Sequence, residues 1–472
     1  MQLKELACFD QYFGEKVDYD FLNDDSPLVL SQQEEDNLKE GAVLRAVQSG
    51  ERIEIGTVIS GGGEGMIYSL VDNSSYVAKI YKPTYRTRLK AEKLKKLVSF
   101  KNENARICWP CDVLETDSGV FVGFIMPFVK GKNMQSLTSS PKRMEKFYPE
   151  VDRRLQIEII LEILQLFRYL HEHNILFGDV NLQNIMFDSE YHVIFVDMDC
   201  VQAGEFPCVT SSEGFDSPEV ILRGGSNRFD RVDGVYAFNR YYRNFYRNPE
   251  MECFSISVLI YKLLMNGFVP YDYRDFGFFG GPGEYNDNKL CMKQKFAYST
   301  DRDKVEEQAN CKKIWSHFPS FLKEAFVNCY TYNKRYTDDE WIKLFTKYKY
   351  LLESGELAKV DPECMNIFPD NEISYDTVRF ALNETVVSRG FSACKAMEKI
   401  LDEICEVRLK RSLPKIAKAL KDKPECVVCI TNKGNIYIDE QPNIGEIVIA
   451  SYRFCLAYNI GVLKKIKCEY VL

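Results

Sequence analysis

Six side chains in this sequence have the types and spacing that phosphate chemistry uses. Lys79 lies inside the apolar run Tyr76-Val77-Ala78-Lys79-Ile80. An ammonium embedded in such a run is costly unless oxygens surround it, and phosphate oxygens with a carboxylate would suffice. The plainer alternative is that Lys79 snorkels to solvent. Glu92, in the lysine-rich stretch that follows, is the candidate carboxylate. Further on, Asp179 and Asn184 stand in Phe177-Gly178-Asp179-Val180-Asn181-Leu182-Gln183-Asn184, and Asp197 and Asp199 end the apolar run Val193-Ile194-Phe195-Val196. Phosphoryl transfer needs such a set: a base for the incoming hydroxyl and hard oxygen ligands for Mg²⁺ on the phosphates. Upstream, Ser60-Gly61-Gly62-Gly63-Glu64-Gly65 could cradle phosphates with its backbone N–H groups, although a simple glycine hairpin would read the same.

The elements that must position these residues follow from pattern. Short strand-like runs occur at Ile53–Ile59, Met66–Val71 and Tyr76–Tyr81, separated by Gly- and Asn-rich turns. A helix is predicted over Arg88–Phe100, then strands at Asp112–Glu115 and Val120–Met126. Leu155–Glu172 carries Ile159, Ile160, Ile163, Leu164, Phe167 and Leu170 at the spacing of one buried helix face, and a second apolar helix is predicted from Phe254 to Met265. A small β-rich unit followed by a larger helical one is a bilobal α+β layout.

Taken in order, these segments resemble the protein-kinase superfamily. Ser60–Gly65 resembles the glycine-rich loop, with Ser60 in place of its first glycine, and Lys79 the ATP-anchoring lysine. Glu92 is the implied helix partner of that lysine, with Glu103 as the alternative. Asp179 is similar to the catalytic-loop aspartate, Asn184 to the metal-binding asparagine and Asp197 to the first residue of Asp-Phe-Gly. Ser217-Pro218-Glu219 resembles the end of an activation segment, and Arg335 is placed to pair with Glu219. The likeness is strongest to bacterial kinases with a Gly-Asp catalytic loop and an Asp-x-Asp metal turn, and Asp338-Asp339-Glu340-Trp341 suits that branch. It implies an ATP site formed by Ile59, Gly61, Gly62, Gly63, Gly65, Ile67, Ala78, Lys79, Asn184 and Met186. Met126 is the implied gatekeeper, and Pro127, Phe128 and Val129 the hinge that reads adenine. Asn184, Asp197 and Asp199 are the implied ligands of Mg²⁺.

Three departures carry consequences. Gly178 replaces an arginine, so no fixed cation at that position awaits an activation-loop phosphate, and activity is expected not to need phosphorylation at Thr210, Ser211 or Ser212. Asn181 replaces a lysine beside the γ-phosphate, and Asp199 replaces a glycine. With Lys79, Asp179, Asn184 and Asp197 intact, catalysis is expected rather than a nucleotide-binding scaffold. Gly-Asp-Val-Asn-Leu-Gln-Asn also resembles small-molecule kinases of the aminoglycoside-phosphotransferase type. Those lack the Ser-Pro-Glu segment and its arginine, and Ser212 sits seven before Glu219, so a Ser/Thr hydroxyl of a protein is the expected acceptor.

Composition sets the outer limits. The chain of 472 residues, 45% hydrophobic and 28% charged, is too long for one core. The expected parts are an extension over 1–50, an N-lobe over 51–129, a C-lobe over 130–350 with an insertion at about 224–249, and an accessory α/β module over 351–472. A net charge of −8 argues against a nucleic-acid partner. No apolar run suits a signal or a membrane span, and a cytoplasmic protein is expected. The 16 cysteines are expected as reduced core thiols, with zinc at Cys108/Cys111 and Cys426/Cys429 as the competing reading. The insertion interleaves Arg228, Arg231, Arg240, Arg243 and Arg247 with tyrosines, which could stack on bases or grip an acidic peptide but more simply pack on the large lobe. In the tail, Ser392–Arg411 is predicted helical, and Cys426–Thr431 and Asn435–Ile438 are predicted to form a hairpin.

Overall fold

The computed structural model describes residues 27–210, 212, 214–224, 229–232, 235–238, 246–271, 296–298, 309–355, 357–359 and 361–372. In the tail it describes 380–382, 385–387, 425–431, 435–439, 448–456 and 466–470. The expected helix at Ser392–Arg411, Ser211 and half of the Arg/Tyr insertion, with Arg228, Arg240 and Arg243, lie outside the described residues.

A short helix α1 (Gln32–Asn37) precedes β1 (Val43–Ala46), β2 (Arg52–Gly61), β3 (Gly65–Leu70) and β4 (Tyr76–Tyr81). Helix α2 (Arg88–Ser99) follows, then β5 (Asp112–Glu115) and β6 (Phe121–Pro127). The six strands close into an antiparallel barrel in the order β1-β2-β3-β4-β6-β5. Leu44, Ile55, Tyr68, Leu70, Ala78, Ile80, Val122 and Ile125 pack into a common interior, with alternation pairing Tyr68 with Leu70 and Ala78 with Ile80 on that face. Part of the expected extension belongs to this barrel. Strand β1 pairs with both β2 and β5, Leu30 is buried, and Glu35 forms an ion pair with the buried Arg86.

The second unit begins with β7 (Lys132–Asn133), α3 (Pro141–Phe147) and α4 (Arg153–Glu172). Asp152 caps α4 by accepting the Leu155 N–H at 2.8 Å. Three short antiparallel pieces follow: β8 (Ile175–Leu176), β9 (Ile185–Phe187) and β10 (Val193–Phe195), with β11 (Gln202–Ala203) returning to pair with β8. Helices α5 (Pro218–Gly224), α6 (Pro249–Leu264), α7 (Ala309–Ser316), α8 (Ser320–Thr331) and α9 (Asp338–Glu353) complete the unit. Helix α6 is buried nearly all round, as the apolar residues on every side of it from Cys253 to Leu264 require. One core runs from Leu94, Trp109 and Phe124 of the barrel unit through α4 to α6 and α9.

Backbone bonds register the two units. Cys108 N–H donates to the Phe195 carbonyl at 2.8 Å, and Phe195 N–H to the Arg106 carbonyl at 2.9 Å. The residues after β10 are thereby held against the barrel. Among the described residues no helix is long and apolar enough to cross a membrane. In the tail, the strands expected at Cys426–Thr431 and Asn435–Ile438 pair antiparallel within a four-stranded sheet.

Candidate active site

Lys79 lies in the middle of β4, directly opposite Ile67 of β3 and Phe124 of β6. Opposed residues in an antiparallel ladder share a face, so Ile67 and Lys79 look the same way. The next step along the ladder pairs Val77 with Met126, on that same face. Ala78, expected to line the nucleotide site, is turned the other way into the barrel interior. This is a correction: with a side-chain period of two, the partner of Lys79 on its strand is Val77, not its immediate neighbour.

The ammonium of Lys79 reaches Asp197 Oδ1 at 2.5 Å and the two oxygens of Asp199 at 2.8 and 3.1 Å. Asp197 sits in the left-handed region at φ 61°, which a short polar side chain tolerates at a tight turn after a strand. Asp199 is fully buried and also accepts from the Tyr81 hydroxyl, with the Lys90 ammonium 3.7 Å away. Burial opposes its charge, but Lys79 and Lys90 overcome that penalty and hold its carboxyl well below the usual range. Asp197 is pushed the other way, by burial and by Asp199, despite Lys79.

Glu92 is not at this site. It is 43% exposed on its side chain and pairs with Lys95, so the expected Lys79–Glu92 contact is absent. The inward face of α2 is Lys90, Lys93, Leu94 and Leu97. At about 100° per residue, Glu92 points to nearly the opposite side from Lys90. Glu103, the alternative, is exposed in the loop beyond α2, where its N–H donates to the Tyr169 hydroxyl at 3.3 Å. The helix offers Lys90 instead, which pairs with Glu64 of the glycine turn.

The glycine turn is a tight β2–β3 connection, closed by Gly62 N–H donating to the Gly65 carbonyl at 2.8 Å. Lys82 braces it by donating to the Gly62 and Gly63 carbonyls at 2.8 and 3.0 Å. Gly65 is sterically required, since a Cβ there would stand 2.4 Å from the Ile80 carbonyl oxygen, whereas Gly63 faces open space. Ile59 is 43% exposed beside the turn. Met126 and Pro127 end β6, with Phe128 N–H donating to the Ser75 carbonyl at 2.8 Å, and Val129 follows.

The loop after β8 holds the second half of the site. Asn184 donates from Nδ2 to the Asp179 carbonyl at 3.0 Å and to its carboxylate at 3.3 Å. Val196 N–H donates to the Asn184 carbonyl at 3.0 Å, which ties Asn184 to the Asp197 turn, and Met186 lies opposite Ile194 between them. Asn181 accepts from the N–H groups of Gln183 and Asn184, and donates to the Asp179 carbonyl and to Ser212. The Ser212 hydroxyl donates to Asp179 Oδ1 at 2.7 Å.

A residue the motifs did not flag supports this loop from below. Glu252 of α6 is buried and accepts from the Phe177 and Gly178 N–H groups at 2.9 and 2.6 Å and from His171 at 2.9 Å. His171 donates through its other nitrogen to Asp338 of α9 at 2.6 Å. Burial opposes the imidazolium, but bonds to Asp338 and Glu252 raise its pKa to about 10. Glu252, standing between Met251 and Cys253 at the head of an apolar run, was the available signal. Glu219 and Arg335 meet as expected, at 2.8 Å. Cys108 is buried with its thiol on the Pro127 carbonyl, and Cys111 is exposed.

No protein-family model matches the chain. It is 26% identical over 230 residues to Protein kinase YegI of Escherichia coli K12, covering 47% of this chain and 33% of that protein. The same identity and coverage hold for the protein of that name in Escherichia coli O157:H7. The relationship is distant, and this chain spans about one third of the length of the curated relatives it matches.

Proposed function

We propose that this chain is an ATP- and Mg²⁺-dependent kinase, in which the barrel and the helical unit act as the two lobes of a kinase-like fold. The single observation that carries this reading is the contact of Lys79, on the barrel, with Asp197, on the turn after β10, while Asn184 joins that turn to Asp179. The distant likeness to proteins named protein kinases supports it.

Residue chemistry assigns the roles. Lys79 is a fixed cation for phosphate oxygens, and Ile67, Val77 and Met126 supply the apolar face beside it. Asn184 spends its amide nitrogen on Asp179 and presents its carbonyl oxygen, and Asp197 presents a carboxylate whose side chain is 35% exposed. These hard oxygens fit a magnesium ion, which neutralises charge developing on the transferred phosphoryl group. Asp199 suits a different role. Wholly buried and surrounded by Lys79, Tyr81 and Lys90, it orients the lysine that Glu92 does not reach. Asp179 accepts the proton of the incoming hydroxyl, and Ser212 already directs a hydroxyl onto it.

A serine or threonine hydroxyl of a protein is the proposed acceptor. The segment closed by the Glu219–Arg335 ion pair provides a platform beside Asp179 on which a polypeptide can lie. Incubation of the purified chain with γ-labelled ATP, Mg²⁺ and separate pools of generic proteins and small metabolites tests this. Label in acid-precipitable phosphoserine or phosphothreonine is expected, and label confined to metabolites would contradict the protein acceptor.

A further inference from the structure

Gly178, the residue before Asp179, has φ 77°, and a Cβ placed on it would meet Cys208 Sγ at 2.4 Å and Arg247 Nη1 at 2.9 Å. The space a side chain at 178 would take is therefore filled by residues distant in sequence. Arg247 is 3% exposed. A guanidinium that deeply buried is costly unless its position does something.

Its contacts show what it holds. Nη2 donates to the Thr210 carbonyl at 2.8 Å and lies 3.8 Å from the Asp216 carboxylate. The Arg247 backbone exchanges two bonds with the fully buried amide of Gln202: its N–H donates to Oε1 at 2.8 Å, and its carbonyl accepts from Nε2 at 2.7 Å. One residue earlier, the Tyr246 hydroxyl donates to the Glu205 carbonyl at 2.7 Å. Gln202, Glu205, Thr210 and Asp216 are thus all gripped by two adjacent residues, spaced along the segment that leads from the Asp-x-Asp turn past Ser212. One residue later, Asn248 caps α6 by accepting the Met251 N–H at 2.9 Å. The grip is consequently anchored to the helix that carries Glu252, which accepts the Gly178 N–H from the other side.

We propose that Arg247 is a positioning residue that clamps the 202–216 segment against the Asp179 loop from the space Gly178 leaves empty, so that no phosphate on that segment is needed to order it. This rests on the kinase reading above and assigns the regulation of that site. Burial opposes the charge of Arg247, and its neighbour Cys208 together with the acids Asp216, Asp179 and Glu252 outweighs that effect. The guanidinium accordingly remains a cation throughout the pH range of the reaction. A planar fork can reach the Thr210 carbonyl and the Asp216 carboxylate through Nη2 while Nη1, which has no hydrogen-bond partner among the described residues, fills the space beside Gly178, and the single ammonium of a lysine cannot.

The test uses the full chain and its Arg247→Gln and Arg247→Lys variants, with amide hydrogen exchange over 203–212, nucleotide affinity and phosphoryl transfer measured on each. Arg247→Gln is expected to speed exchange in that segment at least about tenfold and to lower kcat similarly, with ATP affinity changed less than about twofold. Arg247→Lys is expected to fall between it and wild type. Phosphatase treatment of wild type is expected to leave its rate unchanged. If Arg247→Gln does not fold, Tyr246→Phe removes one attachment and is expected to speed exchange around Glu205 alone. Wild-type exchange in whichever variant folds, or a rate that collapses with phosphatase, overturns the clamp. Faster exchange in a chain that transfers no phosphate from ATP would uphold the clamp and overturn the kinase reading instead.

Discussion

Asp199 is the side chain on which two accounts of the lysine site divide. If it orients Lys79, the amide of Asp199→Asn cannot satisfy two ammonium groups, and ATP affinity is expected to fall at least about tenfold, or 1.4 kcal/mol. The Mg²⁺ concentration giving half the maximal rate is expected to stay where it is. Asp197→Asn is expected to raise that concentration sharply. A raised magnesium requirement in Asp199→Asn with unchanged ATP affinity would make Asp199 a metal ligand. Sequence grouped Lys79, Asp179, Asn184 and Asp197 as one expected set, because each lies in a contiguous string whose letters are themselves the signal. It misplaced Ala78 and Glu92, where the deciding quantity is the direction of a side chain. One residue along a strand, or two along a helix, reverses that direction without changing the composition of the string.

Elements hold these side chains through close backbone approach and through shared buried acids. Gly123 of β6 shows the first: a Cβ there would lie 2.0 Å from the Lys79 carbonyl oxygen. Gly123→Ala must push β6 away from β4, and a loss of about 1–3 kcal/mol in urea unfolding is expected, with weaker ATP binding because Lys79 moves. Equal stability and affinity would contradict the account. His171 shows the second, joining α4 to Glu252 of α6 and Asp338 of α9. Its folded pKa of about 10 stands above the unfolded value of 6.5. The resulting stabilisation is therefore complete below the unfolded pKa and is lost as pH rises through the folded one. The stability gap between wild type and His171→Gln is expected to be widest near pH 6 and to narrow steadily toward pH 10. A gap that stays constant over that range would contradict it. Strand and helix positions were legible from alternation and periodicity. The His171–Glu252–Asp338 junction was not, since it gathers three helices that only the folded chain brings together.

For the molecule as a whole, what positions the site is the seam between barrel and helical unit. Phe195 and its neighbours Arg106 and Cys108 fasten it through backbone bonds, and Lys79 spans it through two carboxylates. The order of strands and helices along the chain was readable, but the bounds of the parts were not: β1 and the Glu35–Arg86 pair draw residues before 51 into the barrel, and Leu357, Cys364 and Ile367, beyond the expected end of the C-lobe at 350, join the core of the helical unit. An acidic, irregular stretch gives no sign that one short strand will complete a sheet. Arg247 was similarly hidden among the other arginines of its segment, because nothing in that composition says which one will be buried. The most direct measurement on the central claim is transfer of the γ-phosphoryl group of ATP by wild type and by Asp179→Asn, each saturated with Mg·ATP. Wild type is expected to transfer, and Asp179→Asn to lose at least about 10²-fold in rate while binding ATP about as tightly. Equal rates in the two proteins, or bound Mg·ATP with no transfer by wild type, would contradict the account.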